Sequence, residues 1–182
     1  MLSKSQTAAI IGIASVSIVA ALVFLIWVLI INRRLNMEDW SKYHFQLDDF
    51  FKSAKAKEKG IDNSTDDESV ILNIQNLNKY VVQPAHEAIP FKINSGYRSP
   101  ALNTAVGSKS KKSQHLTGEA VDLTTGTIEG NKRLYEYIRK NLPFDQLIAE
   151  YGYKVVHVSL KRIGINRKQT LYTEDLIHYK TI

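Results

Sequence analysis

His115 and Asp122 stand seven residues apart in the stretch SQHLTGEAVDL, and a second strand-like stretch, VVHVSL, carries His157. Two imidazoles and one carboxylate, with a fourth position left open, are the donor set of a catalytic zinc site. The carboxylate offsets part of the metal's charge. The open position takes a water whose pKa the metal lowers to about 7, which gives a nucleophile near neutral pH. A lone His is more often structural than a ligand, so the reading depends on whether the chain aims all three side chains at one point.

Alternation supplies that aim. Around His157 it puts Val155, His157 and Ser159 on one face of a strand and Val156, Val158 and Leu160 on the other. Around Asp122 it puts Ala120 and Asp122 on one face, with Val121 and Leu123 behind them. Each polar candidate thus sits on a strand whose back is apolar enough to be core. Strands are expected at 91–94, 119–123, 146–151 and 154–160. A helix is expected over 40–59, closed by Gly60. The polar turn 62–69 offers N-caps to a second helix, in which Ile71, Ile74, Leu77 and Val81 recur at helical spacing before Pro84. A third helix, 131–140, is expected to turn Leu134, Tyr137 and Ile138 to the core. The lysine-rich tract 109–112 reads as a solvated loop. Together these elements predict an α+β fold, with helices packed on a small, mainly antiparallel sheet.

From about Tyr43 to Tyr172, roughly seven-tenths of the chain, the sequence resembles the phage-type zinc D-Ala-D-Ala peptidases, whose fold is similar to that of the hedgehog signalling domain. The matching blocks are HFQLDDFFKSAKAKEKGIDN, NLNKYVVQPAHEAI, SGYRSPALNTAVG, SQHLTGEAVDL, FDQLIAEYG and VHVSL, closing with INRK. They occur in the family's order. The resemblance implies zinc bound by His115, Asp122 and His157, and Arg98 beside the metal in contact with substrate. A guanidinium fork there suits an oxyanion or a terminal carboxylate. The same resemblance implies Glu150 as the general base, with Glu119 as the runner-up.

Three positions depart from the family's pattern. Lys154 stands where many relatives have an acid, Val155 where a Trp is usual, and Ser108 where a second Gly follows Gly107. Ser113, Gln114 and Ser159 either orient the neighbouring His ligands or make ordinary hydrogen bonds. His44, His86 and His178 fall outside the metal blocks and read as structural or exposed.

The chain's 182 residues suit one domain with an appendage. Cys is absent, which excludes disulfides and thiolate chemistry. A net charge of +6 suits an anionic neighbour such as cell wall or phospholipid, or is simply surplus surface Lys. No Arg–Lys stripe with interleaved aromatics argues for nucleic acid as a partner.

Residues 7–31 carry no charge and are long enough to cross about 30 Å of hydrocarbon. They are therefore expected to be an uncleaved transmembrane anchor between a short tail, 1–6, and a juxtamembrane linker, 32–42. A peptidase domain, 43–172, and a C-terminal tail, 173–182, complete the expected organisation. Arg33, Arg34 and Lys42 after the span would weakly hold the domain on the cytoplasmic side, whereas wall cleavage needs the other side. The expected location is a periplasm-facing inner membrane or a virus-particle membrane. The expected function is zinc-dependent hydrolysis of peptidoglycan stem peptides or cross-links, as a D-Ala carboxypeptidase or an endopeptidase. The alternative is a non-catalytic, zinc-stabilised wall-binding module or a structural virion membrane protein.

Overall fold

The computed structural model describes residues 20–27, 39–108 and 110–182. The chain divides into two compact units, Met1–Asp39 and Trp40–Ile182. In the first, residues 20–27 form a helix with exposed apolar side chains. The rest of the expected span 7–31, the tail 1–6 and most of the linker 32–42 lie outside the described residues. Among the described residues no helix is long and apolar enough to cross a membrane. That finding overturns the expected N-terminal transmembrane helix and, with it, the single-pass location.

The second unit is built on a six-stranded sheet in the order β1-β2-β4-β3-β5-β6. Its strands are β1 (Lys92–Ser95), β2 (Ala120–Thr124), β3 (Gln146–Glu150), β4 (Val155–Ser159), β5 (Gln169–Tyr172) and β6 (Lys180–Thr181). The α+β character stands, but the sheet is mixed rather than mainly antiparallel, because β5 runs parallel to β3. The reason is topological. β3 and β4 form an antiparallel hairpin. After β4 the chain reverses once and lands on the far edge of β3, so β5 must run in the direction of β3. Asp145 fastens this crossover, accepting the Arg167 N–H on its side chain at 2.8 Å and the Gln169 N–H on its carbonyl at 3.0 Å.

The expected helix 40–59 is three pieces: a 3₁₀ turn at Trp40–Lys42, then helices Leu47–Phe51 and Ala54–Lys59. Extended backbone at Lys52 and Ser53 makes the break, and the Ser53 hydroxyl accepts from Ala56 N–H to start the next helix. Gly60, at φ 63°, closes it as expected. The second helix, Glu68–Leu77, continues through a π-helical turn, Asn78–Val82, into Gln83–Ala88. Pro84 has no N–H and would crowd the carbonyl four residues back, so the wider turn relieves it. Ile74, Leu77 and Val81 of this helix, and Leu134 and Ile138 of helix Ile128–Asn141, bury against Val121, Leu123, Leu147, Val156 and Val158 of the sheet. Tyr135, rather than Tyr137, is the buried tyrosine of that last helix.

Candidate metal centre

Strand register does the first part of the positioning. β2 and β4 pair so that Asp122 lies directly opposite His157. Val121, Leu123, Val156 and Val158 anchor the opposite face in the core. His115 arrives from a 3₁₀ turn, Gln114–Thr117, that ends on Gly118 at φ 71°. A Cβ at Gly118 would lie 2.8 Å from the Val70 carbonyl oxygen, so only glycine lets the turn press this close to the long helix.

The loop SGYRSP completes the cradle. Gly96 packs so closely on helix Leu47–Phe51 that a Cβ would sit 2.4 Å from Phe50 O. Its own carbonyl accepts the Nδ1–H of His115 at 2.6 Å, which leaves the Nε2 lone pair free. Asn63 holds the same loop from within, donating to Phe51 O and Tyr97 O at 2.9 Å each and accepting from Ser99 N–H at 2.7 Å.

Three donor atoms converge. His115 Nε2 lies 3.2 Å from Asp122 Oδ1 and 3.3 Å from His157 Nδ1, and His157 Nδ1 lies 2.8 Å from Asp122 Oδ1. A tetrahedral zinc with bonds of about 2.0–2.1 Å has ligand–ligand edges of roughly 3.3 Å, so this triangle fits the ion. All three residues are buried, and they form the metal-ligating group found among the described residues. Arg98 takes the other carboxylate oxygen: its guanidinium donates to Asp122 Oδ2 at 2.7 Å and to Ser95 Oγ at 3.0 Å. That leaves Oδ1 turned into the triangle. Burial pushes the Asp122 carboxyl up, but His115 and His157 outweigh it and hold it well below the usual carboxylate range.

The three residues open onto a cleft of about 1070 Å³ that Arg98 and Glu150 also line. Glu150 ends β3, paired with Val155. Burial, seconded by the Asp122 charge, raises its carboxyl to about 7 against the pull of His157 and Arg98. Glu119 does not line the cleft, and its carboxylate accepts from Thr117 Oγ1 at 3.2 Å. Ser159 exchanges hydrogen bonds with the backbone of Gln146, so it stitches β4 to β3. Gln114 accepts from Arg167 at 3.1 Å, bracing the turn beside His115, and Ser113 lines the cleft. His44 stacks on His86 at 4.0 Å, away from the cleft lining, and the exposed His178 pairs with Asp175.

Sequence reasoning passed over Asn63, the Asp145–Arg167 pair and the C-terminal residues that reach the cleft. Asn63 and Asp145 both lie within quoted blocks, but nothing in the residues around them marks their distant partners.

The family model for Peptidase M15 matches residues 43–159, well over half of the chain. The chain belongs to the M15 peptidases. The match spans Arg98, His115, Asp122, Glu150 and His157, and stops at the end of β4. No curated protein matches the chain. This M15 peptidase is thus a metallopeptidase by family, and its His–Asp–His cluster is the group able to hold the metal.

Proposed function

We propose that this M15 peptidase hydrolyses amide bonds next to D-amino acids in peptidoglycan stem peptides or cross-links, with zinc held by His115, Asp122 and His157. The observation that carries the reading is Glu150. It shares one cleft with the complete ligand triangle and has a carboxyl raised to about 7, where it can both take and return a proton. Bound there, zinc would supply a Lewis acid that activates water and polarises the scissile carbonyl. Glu150 accepts a proton from the attacking water, whose oxygen bonds to the carbonyl carbon. It then delivers that proton to the amide nitrogen as the C–N bond breaks, giving a carboxylic acid and an amine. Arg98 keeps Asp122 Oδ1 aimed inward. Its remaining N–H groups are left for a substrate carbonyl or terminal carboxylate.

The test is a mass-spectrometric digest of purified peptidoglycan by the zinc-loaded chain, with a chelator control. Zinc-dependent loss of terminal D-Ala, or of cross-linked dimers, is expected and names the bond cut. Glu150→Gln should lose about 10²–10⁴ in rate while keeping its zinc. No product from any wall chemotype, with zinc bound, would overturn hydrolysis in favour of a wall-binding module.

A further inference from the structure

The family match ends at Ser159, but the cleft does not. Asp175, Leu176, Ile177 and Tyr179, from the last ten residues, line it together with the ligand triangle and Glu150. They are carried on a hook. β6 folds back on β5, pairing Leu171 with Thr181 and Tyr172 with Lys180. The turn between is closed by Asp175, whose carboxylate accepts from the N–H of Ile177 and of His178 at 2.8 Å each and from His178 Nδ1 at 2.6 Å. Thr173 Oγ1 accepts from Leu176 N–H at 3.0 Å, and Leu176 is held at φ 60°, where leucine is uncommon.

This is a built turn, yet it leaves its large side chains outside the core. Ile177 is 74 % exposed and Tyr179 46 %. Tyr151, next to Glu150, adds a third such side chain to the cleft, also from a positive φ, 50°. Elsewhere the lining carries Lys112, together with Lys55, Lys161 and Arg167, which already face the carboxylates of Glu58 or Asp145. A stem peptide offers methyl and methylene groups that complement the apolar side chains.

We propose that the C-terminal hook is a specificity wall, on which Leu176, Ile177 and Tyr179 hold the aliphatic part of the stem-peptide arm. This rests on the function proposed above. A single D-Ala is far smaller than a cleft of about 1070 Å³, which has room for a longer arm as well.

The test compares the full-length chain with an Ile177→Asp/Tyr179→Ala double variant, whose exposed positions leave folding intact. Substrates are a stem pentapeptide and the D-Ala-D-Ala dipeptide. The variant should raise KM for the pentapeptide about tenfold with kcat within about twofold, lowering its preference over the dipeptide. A preference that stays put overturns the wall. Binding of a fluorescent pentapeptide to the zinc-loaded chain separates the two ideas. If wild type binds but cuts nothing, and the variant binds about tenfold more weakly, the wall stands and the hydrolytic reading falls. Equal binding by both chains, or none by either, overturns the wall itself.

Discussion

Two regions of the sheet bury a carboxylate, and they resolve its charge differently. Asp145, at the start of β3, is closed by permanent cations. Arg167 donates to it through its backbone N–H and guanidinium, and Lys161 Nζ lies 3.4 Å away. Burial pushes its carboxyl up, but these partners outweigh it and bring it down to about 2. Asp122, in the middle of β2, gives only Oδ2 to a permanent cation, Arg98, and turns Oδ1 toward two imidazole nitrogens. A saturated carboxylate is structure. One that keeps an oxygen facing two imidazole nitrogens can hold a cation.

That contrast can be broken most directly at the triangle. His157→Ala should abolish stoichiometric zinc, read by elemental mass spectrometry, and cost more than about 10³ in rate, or about 4 kcal/mol of barrier. Full activity in this variant would remove His157 from the metal site. Next in size is Arg98→Ala, which frees Asp122 Oδ2 without touching a ligand atom. Losing such an outer partner should weaken zinc binding about 10–100-fold, measured by competition with a chromophoric chelator. Arg98→Lys should recover only part of the loss, because an ammonium cannot reproduce the fork that reaches both Asp122 and Ser95.

The smallest effect on metal is expected at the other carboxylate. Asp145→Asn should lower stability by about 1–2 kcal/mol in urea unfolding, the larger figure being reduced by the half-exposed Arg167, while zinc affinity barely moves. Because the folded Asp145 titrates below its unfolded value of about 3.9, its stabilisation is complete above about pH 4 and is lost as pH falls toward 2. The variant should therefore lose the steepest part of that acid limb. A zinc defect as large as that of Arg98→Ala would erase the distinction between the two carboxylates.

Much of the site was legible in the chain. The alternation in AVDL and VVHVSL placed Asp122 and His157 opposite apolar faces, because strand side chains repeat every two residues whatever the partner strand is. Gly60 ended its helix where expected, since its left-handed backbone is a local property. Less was legible where pairing is remote. QTLY gave no clear alternation, so β5 and the mixed sheet went unread. The hydroxyl of Ser159 shares a face with His157, yet it bonds to Gln146 across the strand pair.

The sequence by itself determined the donor types, the faces they occupy, the membership of the chain in its family and the glycine that closes the helix at residue 60. Only the tertiary structure decided that Asp122 meets His157 across β2 and β4, that Gly96 O sets the His115 ring, and that the last ten residues return to the cleft. The division has a physical cause. Face and cap are set by neighbours a few residues away, whereas the contacts that assemble the triangle join segments 35 and 42 residues apart. Their geometry follows from which strands share hydrogen bonds, and that choice belongs to the whole core.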